Sequence, residues 1–398
     1  MSDTPWLTIV GLGEDGPEGL APASARALAE ADLVMGAARH LALLPDLAAE
    51  CQTWPVPFAD GIAPLLDQRG RRVVVLASGD PFWFGAGAVL ARHLAPGEWR
   101  AFPAPSCFSL AAARLGWPLE TLRCHGLHAA PLSRLRPDLA AGLRLLVTLR
   151  DGAAVGDLAA YVTALGFGES TLTVMEALGG PRERITSHRA ETLSGSFAHP
   201  VLVALDITGA GETIPCASGR EDTLFESDGQ ITKRPVRALT LSALAPRPHE
   251  LLWDIGGGSG SVALEWLMAH PTTQAISIEP RADRAARIGR NAAALGQDRL
   301  QVVTGSAPEA LDGLAMPEAV FVGGGLSAAL LESLFARLPA GTRIVANAVT
   351  LESEALLAAA QAERGGDLLR IALSEAVPLG SKRGWRSAYP VVQWRVTT

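Results

Sequence analysis

The sequence predicts an α/β protein of two domains. Three observations carry this. Short β-branched runs alternate with alanine-rich helical stretches in both halves. The alternation breaks over residues 207–230, where TGAGETIPCASGREDTLFESDGQ follows no period, so the boundary is placed near residue 210, dividing 1–210 from 211–398. Each half also carries a glycine loop directly after its first strand.

In the first half, strands are expected at 6–11, 72–77, 144–149, 171–176 and 200–206. Helices are expected at 22–32, 85–95, 108–115 and 153–165, covering the sheet faces. In the second half, a helix at 234–244 precedes strands near 250–255, 274–279, 300–304, 318–322 and 342–347. Helices at 259–269, 281–295, 327–337 and 352–363 fill the gaps. Strands at 368–374 and 389–396 then close the chain as a terminal β-pair.

At 398 residues the chain exceeds one ordinary domain, and 48% hydrophobic against 19% charged residues is globular composition. The net charge of −7 argues against a non-specific nucleic-acid binder. Cys51, Cys107, Cys124 and Cys216 form no CxxC pair and suggest no disulfide framework. The N-terminal MSDTPWLTIV is acidic and unlike a signal peptide, and no apolar run approaches the roughly 20 residues that span a bilayer. The expectation is a cytoplasmic protein without a membrane or nucleic-acid partner.

The chemistry concentrates in LLWDIGGGSGS, residues 251–261. A strand ends at Asp254, glycines stand at Gly256, Gly257, Gly258 and Gly260, and a helix follows. Backbone without side chains can approach a nucleotide-like ligand there. The next strand ends at Glu279, whose carboxylate suits a ribose diol. NAD and S-adenosylmethionine (SAM) both fit this outline. D-x-G-x-G-x-G spacing favours SAM, and Asp254 suits a cationic amino-acid moiety better than a pyrophosphate. GSAPEAL (305–311) is placed to cover the adenine and VFVGGGL (320–326) to line the transfer site. Asn347 is read either as a substrate contact or as a turn residue.

The first loop, VGLGEDG, spells G-x-G-x-x-G with Gly11, Gly13 and Gly16. Glu14 and Asp15 would oppose a pyrophosphate, so a dinucleotide reading fails on charge. SGDPFWFG (78–85) and FPAPSCFS (102–109) are two further loops after strands, and together the three suggest a cleft. Phe82, Trp83 and Phe84 offer a wall for a flat ligand, with core packing expected for at least two of them. His125 and His128 lack partners for a metal site, and no metal is expected.

These motifs resemble the family of fused precorrin-6Y C-5,C-15-methyltransferases (decarboxylating) of cobalamin biosynthesis, over nearly the whole chain. VGLGEDG, the SGDP turn, PSCFSLAAARLGWP (105–118) and EALGGPRERI (176–185) are similar to tetrapyrrole methylases. DGQITKRPVRALTLSALAPRP (228–248), the Asp254 loop, VFVGGG and ANAVTLESE are similar to the C-15-methylating, decarboxylating partner. The resemblance implies a tetrapyrrole-methylase-type α/β domain followed by a class I Rossmann-like methyltransferase domain. It implies SAM contacts at Gly11, Gly13, Glu14, Ser78, Gly79, Asp80, Ser106, Cys107 and Leu149 in the first. In the second they fall at Thr232, Gly256 to Gly260, Glu279, Ala307 and near Gly323, beside the Asp254 read from the loop itself. The family's G-D-A-P loop has Ser306 in place of the acid, a common glycine is replaced by His249, and a common proline by Glu14.

The implied reaction methylates precorrin-6B at C-5 and C-15 and removes carbon dioxide from the ring C acetate, using two SAM. Methyl transfer to an electron-rich carbon needs in-line positioning and a dry site. Decarboxylation needs an electron sink, which the protonated ring system supplies. The substrate carries many carboxylates. Lys233, Arg234 and Arg237, and Lys382, Arg383 and Arg386 in a C-terminal loop, are candidates to bind them, with solvated surface charge as the alternative. An RNA methyltransferase with an auxiliary domain and a non-catalytic SAM-responsive scaffold are the rival readings. Self-association into a homo-oligomer is expected.

Overall fold

Apolar β-branched runs become strands wherever turn residues bound them. The computed structural model describes residues 5–398, so Met1–Thr4 of the N-terminal segment discussed above lie outside the described residues. The chain forms two compact units. One runs to Pro131 and resumes over Leu139–Glu212; the other comprises Leu132–Asp138 and Thr213–Thr398.

In the first unit, β1 (Leu7–Leu12), β2 (Leu33–Gly36), β3 (Glu50–Thr53), β4 (Val73–Ser78) and β5 (Trp99–Phe102) form a parallel sheet. Its order is β3-β2-β4-β1-β5. Helices α1 (Pro22–Ala29), α2 (Ala38–Ala42), α3 (Ile62–Leu66) and α4 (Ala86–Leu90) join its strands. Both faces are apolar, with Leu7, Ile9 and Val75 in one core and Val10, Val34 and Val74 in the other. That is the continuous hydrophobic pattern of a sheet covered on both sides. The helix expected at 85–95 is shorter, because a tighter turn takes over at Ala91–His93.

The later strands of this unit form a separate sheet, which the alternation did not reveal. β6 (Arg123–Gly126), β7 (Arg144–Thr148), β8 (Thr171–Glu176), β9 (Arg184–Arg189) and β10 (Val201–Asp206) are ordered β6-β7-β10-β8-β9. All pairings but β6–β7 are antiparallel. Between β8 and β10 there is no α-helix, so neighbouring strands can reverse direction instead of crossing over. Helix α5 (Cys107–Leu115) packs on this sheet, and Ser106 caps it by accepting from Ser109 N at 3.1 Å. Helix α6 (Ala153–Val162) ends in a wider turn over Thr163–Phe167.

The second unit holds β11 (Leu251–Ile255), β12 (Gln274–Glu279), β13 (Leu300–Thr304), β14 (Ala319–Val322) and β15 (Arg343–Ala348), all parallel. β16 (Asp367–Ile371) and β19 (Val391–Thr397) extend this sheet antiparallel, and the order is β13-β12-β11-β14-β15-β19-β16. Between them β17 (Ser374–Leu379) and β18 (Lys382–Ser387) form a hairpin. The segment expected as a loop carrying Lys382, Arg383 and Arg386 is therefore paired strand. Helices α7 (Arg234–Leu244), α8 (Ser261–Ala269), α9 (Ala282–Ala294), α10 (Ala328–Arg337) and α11 (Leu351–Arg364) surround the sheet. Strand order reverses between β11 and β14, which opens a crevice at the carboxyl ends of those strands. Among the described residues no helix is long and apolar enough to cross a membrane.

Candidate functional site

A cavity of about 930 Å³ occupies that crevice of the second unit. Gly256 turns the chain at φ +75°, and a Cβ there would stand 2.6 Å from Gly324, so only glycine lets the loops after β11 and β14 meet. Gly257, Gly258, Gly323, Thr232, Lys233 and Ala307 also line the cavity. Gly260 does not. It starts α8 and faces Ile288 of α9, so its place is in helix packing and not at the ligand.

Two carboxylates sit at the floor. Glu279 accepts from Gly258 N at 2.8 Å and from Arg281 N at 3.1 Å, which fixes the loop to the end of β12. Asp254 is 1% exposed. One of its oxygens accepts from Ser277 Oγ at 3.1 Å, and Oδ1 has no hydrogen-bond partner among the described residues. Burial, with the charge of Glu279 adding to it, pushes the Asp254 carboxyl up to about 7. That oxygen, beside the cavity, is a free acceptor for a donor entering it.

The basic residues divide. Lys233 lines the cavity and lies 3.6 Å from Asp222. Arg234 is outside the lining and pairs with Glu221. Arg237, expected at substrate, is instead fully buried. It bonds Glu265 at 2.7 Å, Asp222 at 3.0 Å and the carbonyls of Thr232 and Arg220, over the Phe225 ring. Its charge is consumed internally, so it cannot meet a substrate carboxylate. Glu265 also accepts from Gly219 N and Arg220 N. Sequence reading missed this knot, although an acid inside the apolar stretch SVALEWLMA was its signal.

Asn347 does line the cavity, yet its amide donates to Thr240 Oγ1 at 3.0 Å and accepts from Gln393 at 3.0 Å. It is no simple turn residue, since it lies in β15. Lys382 and Arg383 sit on the exposed hairpin, away from the lining, and Arg386 approaches Glu375 at 3.5 Å. The roots of the hairpin reach the cavity through Leu373, Ala388 and Tyr389, which sequence reading did not single out. His249 adopts φ +67°, a conformation glycine takes more freely than histidine.

The first unit has its own cavity, of about 540 Å³. Gly13, Glu14, Ser78, Gly79, Asp80, Ser106, Cys107 and Leu149 all line it. Gly11 does not. A Cβ there would lie 2.0 Å from Gly79 O and 2.5 Å from Ala104 N, so Gly11 lets the loops after β4 and β5 close over β1. Both oxygens of the Glu14 carboxylate are engaged. Arg39 holds one oxygen at 2.6 Å and Arg182 the other at 3.1 Å. Those cations also offset the repulsion on which the dinucleotide reading was rejected.

Arg39 and His40 were missed, though adjacent basic residues just past β2 were visible. Arg39 donates to Ser78 Oγ, and the ring Nε2 of His40 lies 3.0 Å from it. Burial, with Arg39 and His199 adding, pushes His40 down to about 3, so its ring is neutral near pH 7. Burial pushes the Cys107 thiol up to about 11, which leaves it a poor nucleophile. Core packing of the aromatic trio is overturned: Phe82, Trp83 and Phe84 are 43%, 38% and 51% exposed, and the last two line the cavity. Phe82 packs against Trp99, and Trp83 and Phe84 against Phe108. His128 lines the same cavity, and no metal-holding cluster occurs among the described residues.

Comparison with known proteins adds the family. Residues 6–194 match the tetrapyrrole (corrin/porphyrin) methylases, and residues 223–398 match the precorrin methyltransferase domain. A Sinorhizobium sp precorrin-6Y C(5,15)-methyltransferase [decarboxylating] is 50% identical, over 99% of this chain and 97% of its own. Two Salmonella typhimurium proteins match shorter stretches. A cobalt-precorrin-7 C(5)-methyltransferase is 26% identical over 50% of this chain and 98% of its own. A cobalt-precorrin-6B C(15)-methyltransferase (decarboxylating) is 31% identical over 40% of this chain and 85% of its own. With half its residues shared along the full length of the first of these, the chain belongs to the family of precorrin-6Y C(5,15)-methyltransferases (decarboxylating).

Proposed function

We propose that the chain methylates a precorrin at C-5 and C-15 and removes carbon dioxide from the ring C acetate, with one SAM site in each unit. The observation that carries this reading is the pair of separate cavities, each built on glycine loops at the carboxyl ends of parallel strands. The relatives named for C-5 and for C-15 methylation each span about the length of one unit, which supports a division of labour. The first unit is assigned C-5 and the second C-15 with decarboxylation.

SAM supplies an electrophilic methyl group when bound. In the second unit the Gly256–Gly258 backbone, Thr232, Gly323 and Ala307 surround it, and the Asp254 and Glu279 carboxylates offer acceptors at the floor. In the first unit, Gly13, the Ser78–Asp80 turn, Ser106, Cys107 and Leu149 surround it. Both linings combine apolar walls with backbone amides, so the residues act chiefly by positioning. Lys233 offers its ammonium group to a substrate carboxylate at the mouth of the second cavity.

Mass spectrometry of precorrin-6B incubated with the protein and SAM tests this. The expected result is a gain of two methyl groups and loss of carbon dioxide; an unchanged mass refutes it.

A further inference from the structure

We propose that Arg39 and Arg182 form a receptor for a carboxylate side chain of the tetrapyrrole at the first cavity, with Glu14 as the internal carboxylate that holds both guanidinium groups in place. The inference rests on the function proposed above and adds a substrate subsite in the first unit, where no basic residue had been assigned.

The geometry is a carboxylate between two forks. Glu14 follows the β1 glycine loop, and its side chain is 10% exposed. Its oxygens are divided between Arg39 and Arg182, and Arg39 also donates to Ser78 Oγ in the cavity wall. Each guanidinium has five N–H donors. Among the described residues three hydrogen bonds engage the two groups, and both side chains reach solvent. Two cations against one anion leave a surplus positive charge.

His40, His199 and Asp80 line the same cavity. His40 and His199 are both pushed towards the neutral form by burial. Asp80 turns one oxygen back to Phe82 N, within its own turn. Trp83, Phe84 and Leu149 supply apolar surface in the same cavity. A cationic fork beside aromatic walls matches a flat macrocycle fringed with carboxylates. A second carboxylate can meet the unused donors directly, or replace Glu14 between them.

The test uses the full chain with two readouts. In turnover, Arg39→Met and Arg182→Met each raise the KM for the tetrapyrrole in C-5 methylation about tenfold with kcat little changed. Arg39→Lys recovers part of the loss. C-15 methylation and carbon dioxide release by the same chain are unchanged, as is the melting temperature. An unmoved KM, or an equal loss in both reactions, overturns the proposal. The second readout needs no turnover. Uroporphyrin I, an octacarboxylate porphyrin, is titrated by fluorescence with S-adenosylhomocysteine present. The double variant binds it about tenfold more weakly, while its uncharged octamethyl ester does not distinguish the two proteins. Equal uroporphyrin binding overturns the receptor even if C-5 methylation occurs. Weakened binding without methyl transfer by the wild type keeps the receptor and removes the proposed reaction.

Discussion

Asp254, the acceptor proposed for SAM, is a buried carboxyl that costs stability. Its carboxyl rises from the ordinary 3.8 to about 7, mainly through burial. The folded chain therefore keeps a proton that the unfolded chain has lost, and this contribution to stability falls as pH climbs from about 4 to about 7. Asp254→Asn removes the buried charge. It is expected to raise stability of the ligand-free protein by about 1–3 kcal/mol at pH 8, and by far less at pH 5. Urea unfolding at both pH values checks this. The same variant should weaken SAM binding by calorimetry; unchanged affinity would remove Asp254 from the proposed site. Gly256→Ala acts in the opposite sense. Its new Cβ meets Gly324 in a left-handed turn, so both stability and SAM affinity should fall.

At the scale of elements, the segment before α7 is held over the second cavity by the buried Arg237–Glu265 pair. Arg237 ties Thr232 and Arg220 by their carbonyls, and Glu265 ties Gly219 and Arg220 by their amides. Removing one member of a buried pair strands the other charge. Arg237→Met should cost about 3 kcal/mol in chemical unfolding and speed hydrogen exchange over 216–233. Unchanged exchange there would show that the segment is held by other contacts. The β17–β18 hairpin is a different kind of element. It pairs only with itself and carries exposed Leu379 and Trp385 beside its basic residues. Replacing 374–387 with a short glycine linker should leave the melting temperature within a few degrees.

For the whole molecule, two cavities with unrelated architectures predict separable activities. Gly11→Val drives a side chain into Gly79 O and should abolish C-5 methylation alone. Gly257→Val strikes Ser277 and should abolish C-15 methylation and decarboxylation alone. Mass spectrometry of the products distinguishes the two; joint loss in either variant would contradict the division of labour. Self-association also belongs to this scale. Leu379, Trp385 and Tyr389 are exposed around the hairpin and offer apolar surface for self-association. Sedimentation velocity should show an oligomer for the full chain and a smaller species once 374–387 is replaced.

Glycine spacing, strand periodicity and the acids at strand ends were legible in the sequence because each is a local constraint. They placed the loop after Asp254, Glu279 and the Ser78–Asp80 turn on cavities. Charge partners were not legible, because they depend on which distant segments meet. Glu14 lies 25 residues from Arg39 and 168 from Arg182. Arg237 reads as a surface cation until Glu265, 28 residues away, is seen beside it. The antiparallel sheet of the first unit was hidden for a similar reason. Strand propensity announces a strand but not its neighbour, and pairing between β7, β10 and β8 is decided by the connections and the shared core. The chain by itself thus determined most of the cavity-lining glycine backbone and the family resemblance. Tertiary structure alone decided which charges remain for a ligand and which neutralise one another, because an ion's role depends on its burial and partners rather than its place in the sequence.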